Sequence, residues 1–402
     1  MGDDLVIVGG GPAGMVAGLL FVRAGLKVPV LEKHGDFLRD FRGDTIHPST
    51  LRIFHDLGLL DRLLERPHDK VAGIGVWIGG RHFEIADLSG GNPRWNFVAM
   101  MPQWEFLDFL AVETKRYAGF RLLMNAEALG LVKDGGRVSG VRCRIEGQEK
   151  TIEARLVIAA DGRRSVLRQE AELNVTDLGA PMDVFWFRVP KQPSPENATT
   201  GVATSGRIMA LIDRGTYWQC AYVFPKGSEA PVRARGIDAF RAEVAGAAPM
   251  LAGEIGAVAS WEDVKLLTVA LDRLESWHRP GLLVIGDAAH AMSPVGGIGI
   301  NIAVQDAVAA ANILAGPMRE GRDPDPLLEK VEQRRLLPVR LTQGMQKAVQ
   351  ERIISAVLAG DARLEAARAL RMLDRFPLLR RIPGALIGFG FRPERVRSPE
   401  AR

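Results

Sequence analysis

The sequence predicts an α/β protein in which a parallel-sheet domain carries an inserted, mainly antiparallel β-sheet and is followed by a helical C-terminal region. Three observations lead to this prediction. Residues 5–32 read as strand, glycine-rich turn, helix and strand, which is the order of a βαβ unit. Buried-strand runs recur at residues 154–162 and 281–290, and the residues between them are rich in short β-like runs. Three separated pieces of chain therefore build one sheet.

The inserted sheet is predicted from residues 180–190, 207–225 and 264–271, which are rich in β-branched and aromatic residues. Asp213-Arg214-Gly215 is typical of a hairpin turn. Residues 191–201 are the most loop-like part of this region, and we expect residues 72–88 to add a further hairpin. From Asn301 onward the chain reads as helices, first Ala-rich and then Arg-rich, as far as Arg397.

The composition excludes several classes of protein. A chain of 402 residues with 47% hydrophobic and 25% charged residues suits two or three packed units and is neither disordered nor fibrous. The net charge of +4 is too small and too dispersed to predict a nucleic-acid partner. Cys143 and Cys220 match no metal or CxxC spacing, so we predict no metal site, no disulfide framework and a cytoplasmic location.

The apolar run at residues 5–22 is predicted to be neither an export signal nor a membrane span. The residues before it include Asp3 and Asp4, whereas a signal sequence carries a positive charge there. Five glycines and Pro12 lie within the run and would break a spanning helix near its start. We therefore predict no transmembrane segment.

The motif Gly9-x-Gly11-x-x-Gly14 stands at the turn of the first βαβ unit. Its glycines permit a tight turn, a close approach of the backbone to a pyrophosphate, and close packing of helix on strand. The helix that follows directs its free N–H groups toward the phosphates. Glu32, about 20 residues on, can accept hydrogen bonds from ribose hydroxyls, which favours NAD or FAD over NADP. The sequence thus predicts a Rossmann-like dinucleotide-binding domain.

A second cluster, residues 286–301, follows another buried strand. Asp287 lies at the carboxyl end of that strand, where its carboxylate can bind a polyol hydroxyl. The glycine-rich residues 296–301 begin a helix whose N-terminus could stabilise negative charge on a reduced flavin. An N-capped helix after a glycine loop is the alternative interpretation of this segment.

Taken in order and spacing, these motifs resemble the para-hydroxybenzoate hydroxylase-like family of FAD-dependent aromatic monooxygenases, which are single-component flavoprotein hydroxylases. The resemblance covers roughly the first 315 residues. It is carried by Gly9-Gly10-Gly11-Pro12-Ala13-Gly14, Arg42-Gly43, Gln103, Asp161-Gly162-x-x-Ser165-x-x-Arg168, and Gly286-Asp287-Ala288-Ala289-His290 through Asn301.

The resemblance implies a Rossmann-like FAD-binding domain made of residues 1–70, 98–175 and 276–316, a β-sheet substrate domain made of residues 71–97 and 176–275, and a C-terminal helical region from 317 to 402. It also implies which residues contact the cofactor. These are Gly9, Gly11, Pro12, Ala13 and Gly14 at the pyrophosphate, Glu32 and Lys33 at the ribose, Arg42 and Gln103 at the diphosphate and ribityl region, Asp161, Gly286 and Asp287, and, at the isoalloxazine, Pro294, Gly297, Gly299, Ile300 and Asn301. Asp161 is expected in addition to cap a helix that starts near Arg163.

By the same resemblance, NAD(P)H reduces FAD, O2 adds at flavin C4a, and the hydroperoxide hydroxylates an aromatic or related electron-rich small molecule. NAD(P)H is expected to dock transiently, because the chain has no second GxGxxG motif. Three residues are candidates for catalysis, namely His47, His290 and Tyr222. Aromatic residues at 185–187, 217–218 and 222 are expected either to wall the substrate site or to pack in the core, and Arg188 and Arg207 either to meet an anionic substrate or to lie at the surface.

Three questions stay open at this point. An FAD-dependent oxidase or reductase on the same scaffold would use the same motifs without inserting oxygen. A non-catalytic or carrier-bound role would have the Arg-rich C-terminal helices contact a membrane surface or a protein partner. Residues 378–391 carry apolar residues next to charge, as such a contact requires, although a helical cap on the flavin domain is the more common arrangement. The sequence is compatible with a monomer or a homodimer.

Overall fold

The computed structural model describes residues 2–38, 45–78, 80–191, 199–204, 206–360 and 365–401, with the side chains of 365–369 excluded. Along these residues the strands are, in chain order, β1 Asp3–Val8, β2 Val28–Leu31, β3 Thr45–Ile46, β4 Asp69–Val71, β5 Gly73–Ile78, β6 Arg81–Asp87, β7 Val98–Met100, β8 Phe120–Leu123, β9 Ala126–Asp134, β10 Arg137–Ile145, β11 Gln148–Ala159, β12 Val175–Asp177, β13 Met182–Pro190, β14 Thr200–Thr204, β15 Arg207–Asp213, β16 Tyr217–Pro225, β17 Lys265–Leu267, β18 Asp272–Leu274, β19 His278–Arg279, β20 Leu282–Val284 and β21 His290–Ala291.

The helices are α1 Pro12–Arg23, α2 Pro48–Asp56, α3 Leu60–Leu63, α4 Gln103–Thr114, α5 Val166–Glu170, α6 Glu229–Ala234, α7 Ile237–Ala247, α8 Gly299–Arg319, α9 Asp325–Val349, α10 Ser355–Leu358, α11 Glu365–Arg375 and α12 Arg381–Phe389. Short 3-10 turns lie at Pro249–Leu251, Ile255–Ala257, Trp261–Asp263, Gly286–Ala288, Val295–Gly297 and Pro377–Arg380, and a π-helical turn lies at Gln350–Ile354.

The first sheet joins distant parts of the chain in the order β19-β20-β11-β1-β2-β8, and β20 through β8 run parallel. Its strands are apolar on both faces because helices and loops cover both sides. Helices α1, α4 and α8 pack on one face, where α1 contacts α8 most extensively. The predicted parallel sheet built from three separated pieces is therefore confirmed.

The second sheet has seven strands in the order β17-β13-β16-β15-β14-β5-β6. All neighbouring pairs are antiparallel except β14 with β5, so the predicted hairpin of residues 72–88 joins the inserted sheet as expected. One face, here called the outer face, carries Phe185, Phe187 and Phe224, which pack on Phe240 of α7 and its neighbours. The opposite, inner face points toward the parallel-sheet domain.

Small sheets lie where the chain passes between the two large ones. Strands β3, β7 and β4 form one, and β12, β18 and β21 form the other. The domain boundaries at residues 71, 97, 176 and 275 fall near these strands and stay predictions.

Two local predictions were wrong. Residues 200 and 201 belong to β14 and not to a loop, while residues 192–198 lie outside the described part of the chain. The last residues, 390–401, are not helical, because they leave α12 at Gly390, whose φ is +68°. They run as an extended strap along the parallel-sheet domain, where the Ala401 N–H donates to the Arg23 carbonyl and Arg395 pairs with Asp56.

The segment Val295–Arg319, which contains α8, is the one helix of the described residues that is long and apolar enough to cross a membrane. Of its most apolar window, 78% is buried inside the protein. Its hydrophobicity is accounted for by contacts with α1, α9 and the first sheet.

Candidate functional site: a dinucleotide cradle beside an enclosed sheet face

The glycine motif forms the turn between β1 and α1, and two of its glycines are required by the chain itself. Gly9 has φ +108°, and a Cβ there would lie 2.2 Å from the Ala160 carbonyl oxygen. A Cβ on Gly14 would lie 1.9 Å from the Gly9 carbonyl oxygen. Both distances are far below van der Waals contact, so a side chain at either position would displace backbone.

Gly11 is different, because a Cβ added there would meet no atom within 4 Å. This residue is the N-cap of α1 and has an extended backbone without a side-chain cap, followed by Pro12 at the first helical position. The N-terminal N–H groups of the helix therefore face open space with the positive end of the helix dipole behind them. Ala13 and Gly14 complete this turn and are buried.

Glu32 follows β2 and makes a hydrogen bond to the turn between β1 and α1. Its Oε2 accepts a hydrogen bond from the Gly10 N–H at 3.0 Å, and its Oε1 accepts one from the His34 N–H at 3.0 Å. The side chain is half-buried, and the neighbouring Lys33 is exposed. Contact of either residue with a ribose stays a prediction. Arg42 lies outside the described residues.

Asp161 and Asp287 stand at the carboxyl ends of the neighbouring strands β11 and β20. Asp161 Oδ1 is buried without a hydrogen-bond partner among the described atoms, and its Oδ2 accepts from the Val166 N–H. Burial raises the pKa of Asp161, against the hydrogen bonds from Ser165 and the backbone, which lower it. Asp287 is half-buried and accepts a hydrogen bond from Arg163 Nε at 3.2 Å.

The expected cap was wrong in its detail. Helix α5 begins at Val166, not near Arg163, and Ser165 caps it by accepting from the Arg168 N–H at 3.0 Å. Ser165 is the residue directly before the helix, and Asp161 adds a second contact at the same helix end by accepting from the Val166 N–H. Asp161 thus keeps one carboxylate oxygen for another partner.

The loop before α8 folds back on β3. Gly296 and Gly297 have φ values of +78° and +62°, and a Cβ on Gly297 would lie 2.5 Å from the Thr45 hydroxyl. Thr45 in turn donates a hydrogen bond to the Gly297 carbonyl at 2.7 Å. Helix α8 then begins at Gly299, and its N-cap, Ile298, provides no side-chain cap. The predicted helix N-terminus is therefore present and uncapped, with the half-buried Pro294 and Ile300 on either side.

Asn301 lies next to this loop, but its side chain makes its hydrogen bonds to other residues of the protein. Its Oδ1 accepts hydrogen bonds from the His47 N–H at 2.8 Å and from the Thr50 hydroxyl at 2.7 Å, and its Nδ2 donates to the Thr45 carbonyl. The residue is 2% exposed. Asn301 thus fixes β3 and α2 against the start of α8, and any part it has in cofactor binding acts through that loop. Gln103, the first residue of α4, is half-buried.

His47 is buried beneath α12. Its Nδ1 donates a hydrogen bond to the Ile387 carbonyl at 2.7 Å, since a carbonyl oxygen can only accept. Burial lowers the pKa of His47 to about 4, against this hydrogen bond, which raises it. The imidazole is therefore neutral at pH 7, and its Nε2 is a buried acceptor without a partner among the described atoms.

His290 belongs to a buried charge network that sequence reasoning missed. Asp306 of α8 accepts from His290 Nε2 at 2.6 Å, from the Gly286 N–H at 3.1 Å and from Arg335 Nε at 2.9 Å. Burial would raise the pKa of Asp306, yet the charges and hydrogen bonds of His290 and Arg335 lower it overall. Because His290 is 1% exposed and packs on Trp277, we withdraw it as a catalytic candidate.

The network continues into the C-terminal strap. Arg335 Nη1 lies 3.5 Å from Glu394 Oε1, and Arg334 Nε lies 2.6 Å from the same oxygen. The strap is thereby linked through Asp306 to Gly286, the residue before Asp287. No sequence motif signals this link, because its partners are up to 108 positions apart (394 − 286) and no periodicity relates them.

Tyr222 and most of the aromatic residues considered as walls lie on the outer face of the second sheet. Tyr222 packs on Phe240 of α7, and burial raises its pKa to about 12, as does the nearby Glu243. Arg207 on the same face pairs with Glu243 at 2.8 Å. Neither residue therefore points toward the first sheet, and Tyr222 is withdrawn as a catalytic candidate.

The described residues fit a bound FAD on three observations. The space above Gly11 is open beside an uncapped helix N-terminus, which suits a pyrophosphate. Asp161 has an orphaned buried oxygen at the adjacent strand end. The N-terminus of α8 is uncapped as well and stands at the entrance to the inner face of the second sheet, where Val295 packs.

Comparison with known proteins identifies the family. The sequence matches the family described as FAD binding domain over residues 3–344. The chain belongs to this family. A 6-methylpretetramide 4-monooxygenase of Streptomyces rimosus is 28% identical over 98% of this chain and 94% of its own length. An uncharacterized aromatic compound monooxygenase of Bacillus subtilis, YhjG, is 24% identical over 83% of this chain and 65% of its own length.

Among solved structures, PqsL of Pseudomonas aeruginosa, a probable FAD-dependent monooxygenase, has the same fold. Its TM-score is 0.76 at 20% identity, over 90% of this chain and 98% of PqsL. Together these similarities confirm the predicted family, the FAD-binding fold and the prediction of an FAD-dependent monooxygenase.

The first prediction for this flavoprotein concerns Gly11. Because no protein atom occupies the space of a Cβ there, Gly11→Ala should leave the FAD-free protein folded, within about 0.5 kcal/mol, while lowering FAD affinity at least tenfold. The measurements are urea unfolding and fluorescence titration with FAD. Gly14→Ala is the contrasting variant, since its Cβ collides with backbone and should destabilise the FAD-free protein itself. An unchanged FAD affinity in Gly11→Ala would contradict the cradle.

The second prediction concerns His47. The unfolded histidine titrates near 6.5 and the folded one near 4, so below pH 6.5 the unfolded state binds the extra proton and stability falls as the pH falls. Between pH 7 and pH 5 this amounts to about 2 kcal/mol. The FAD-free wild type should lose that much more unfolding free energy than His47→Gln, measured by urea unfolding at both pH values. Equal losses would show that His47 titrates normally.

The third prediction concerns Asp306. Asp306→Asn removes the nearer carboxylate partner of the buried Arg335 and leaves only Glu394, 3.5 Å from Nη1, so it should lower stability by about 3 kcal/mol, measured by chemical unfolding. The control is Asp56→Asn, which removes the carboxylate partner of the half-exposed Arg395 on the same strap and should cost less than about 1 kcal/mol. Equal losses of stability in the two variants would show that the buried network contributes no more than a surface ion pair.

Proposed function

We propose that the protein uses NAD(P)H and O2 to hydroxylate an electron-rich aromatic small molecule held between the inner face of the second sheet and the N-terminus of α8. The observation that carries this proposal is the packing of Val295, in the 3-10 turn before α8, against the inner-face cluster that contains Val184 and Ala221. The loop expected to meet the flavin ring is therefore adjacent to a sheet face that can hold a substrate.

The centre of the inner face is a flat apolar floor. Strand register aligns Trp186 of β13 with Ala221 of β16, Ala210 of β15 and Gly201 of β14. Three small residues beside one tryptophan leave a shallow surface that spans three strand gaps, about 14 Å at the usual strand spacing. Trp186 and Ala210 are partly exposed although their strands are central in the sheet. Such a floor suits a planar, fused aromatic ring system.

Two other parts of the chain stand along the floor. On one side Met100 of β7 packs with Ile212, and Arg214 donates a hydrogen bond to the Met100 carbonyl. On the other side Ile354 of the π-helical turn packs with Val184. Desolvation by these apolar neighbours supports the exclusion of water that oxygen transfer requires.

Polar groups lie beside the floor, and two of them have partners within the protein: Gln219 Oε1 accepts a hydrogen bond from Arg214 Nε, and Arg188 lies over the Tyr217 ring. Trp186 Nε1 is a buried donor with no hydrogen-bond partner among the described atoms, so it can donate to a substrate oxygen. Arg188 and Gln219 are opposite each other in the next row of the same face. These groups support a substrate that carries a carbonyl, hydroxyl or acidic group at one end.

FAD, when bound and reduced, supplies the oxygen-transfer chemistry that side chains lack. The residues proposed to hold it are Gly9, Gly11 and Gly14 at the pyrophosphate, with Glu32, Asp161 and Asp287 at its hydroxyl groups. The uncapped N-terminus of α8 would stabilise negative charge next to the floor. NAD(P)H is proposed as the reductant, the location is proposed as cytoplasmic, and the assembly as a monomer or a homodimer.

The test is a turnover assay with purified holoenzyme, NADH or NADPH, and a panel of mono- and polycyclic phenols. We expect at least one fused-ring phenol to accelerate oxidation of the reductant and to gain one atom from labelled O2, measured by mass spectrometry. The control is the same assay without O2. Turnover without O2, or substrate oxidation without label, would establish the oxidase or reductase alternative instead.

The floor generates the fourth prediction. Ala221→Phe should fill the space beside Trp186 and raise KM at least tenfold with little change in FAD binding, and Trp186→Phe should raise KM by removing one donor, about fivefold for a neutral hydrogen bond. The control is Tyr222→Phe on the outer face, which should leave kcat and KM within about twofold. A large loss in Tyr222→Phe with none in Ala221→Phe would place the substrate on the other face.

A further inference from the structure

Residues 370–382, here called the basic turn, contain the end of α11, the 3-10 turn Pro377–Arg380 and the start of α12. They carry four arginines and one aspartate, a net charge of 4 − 1 = +3, whereas the whole chain has +4. The basic turn is therefore locally positive, although the charge of the whole chain is small.

The same residues expose large apolar side chains. Met372 and Phe376 are 52% and 53% exposed and lie four positions apart at the end of α11, so they share one face. Leu378 and Ile382 are 72% and 60% exposed and are also four positions apart. Single exposed apolar residues are ordinary on a protein surface, but four within a short basic segment mark an interaction site.

The basic turn is held firmly by the fold. Asp374 pairs with Arg81 of β6 at 2.8 Å and with Arg380 at 3.3 Å. Arg380 Nε also donates to the Leu373 carbonyl. At the other end, a Cβ on Gly384 would lie 2.0 Å from the Asp87 carbonyl, so α12 approaches β6 closely. The apolar side chains therefore protrude from an anchored support, which reduces the entropic cost of binding.

Charge and shape favour one kind of occupant. A second copy of the chain, docked through a two-fold contact, would bring the arginines of one basic turn close to those of the other, which is repulsive. A protein partner must offer pre-formed pockets for each protruding side chain. Lipid chains rearrange around such side chains, and anionic headgroups attract the arginines beside them.

We propose that the basic turn docks this protein on the surface of an anionic membrane. Met372, Phe376, Leu378 and Ile382 enter the headgroup region, and Arg375 contacts lipid phosphates. Arg381 lies 3.7 Å from Asp87 but is 57% exposed, so its guanidinium also faces the lipid phosphates. The docking is peripheral, and it is independent of the proposed reaction because no residue of the cradle or the floor takes part.

The experiment is vesicle flotation of the full-length holoenzyme, with vesicles of phosphatidylcholine alone and with 30% phosphatidylglycerol. We expect partitioning onto the anionic vesicles that weakens as salt rises from 0.05 to 0.5 M, because screening shortens the reach of the arginines. Arg375→Gln with Arg381→Gln should reduce partitioning about fivefold for each arginine. Phe376→Ser with Leu378→Ser and Ile382→Ser should reduce it at least tenfold.

Two control variants remove exposed charged or apolar side chains from other parts of the surface. Arg142→Gln with Arg144→Gln removes two exposed charges from β10, and Val112→Ser with Met250→Ser removes two exposed apolar side chains. Both should partition like the wild type, and all variants should keep their flavin absorbance. No binding to anionic vesicles at 0.05 M salt, or equal binding by the triple serine variant, would overturn the proposal. A concentration-dependent dimer by light scattering that the triple variant loses would overturn it in favour of a second copy.

Discussion

The buried carboxylate of Asp306 is the interaction on which the cofactor side of this structure depends. It is 0% exposed and is shared by Gly286, His290 and Arg335. An unpaired charge at this depth would be strongly destabilising, so α8, the loop carrying Asp287 and α9 are held in one arrangement. Glu394 extends the same arrangement to the C-terminal strap. The C-terminal strap, which resembles no motif, thus supports the loop of Asp287, which is proposed to contact the flavin.

The two faces of the second sheet have different surroundings. Its outer face is a packed aromatic core under α7, and this core accounts for Tyr222 and for the phenylalanines of β13. Its inner face carries the row from Trp186 to Gly201, beside the loop that precedes α8. The packed outer core fixes the positions of the strands that carry the inner floor, as the proposed placement of a substrate beside the flavin requires.

Much of the cradle was predictable because its constraints are local. Gly9 and Gly14 must lack a side chain to avoid their immediate surroundings, and Gly297 must lack one to admit Thr45, so the sequence itself records the close approaches. The charge network was not predictable, because Asp306, Arg335 and Glu394 meet only after the chain has folded. Asn301 combines the two situations. Its motif predicted that it lies near the loop before α8, but its hydrogen bonds to His47, Thr50 and Thr45 form only in the folded chain.

The sequence by itself determined the βαβ start, the discontinuous parallel sheet and the inserted antiparallel sheet, because glycine spacing and strand patterns are local signals. The family of FAD-dependent monooxygenases followed from the resemblance of its motifs to that family. Only the tertiary structure decided which face of the second sheet carries Trp186 toward the flavin loop. It also decided that His290 and Tyr222 are packed in buried surroundings, and that the basic turn protrudes. Strand alternation gives two equivalent choices of face, and packing against α7 on one side and against the π-helical turn and α10 on the other selects between them.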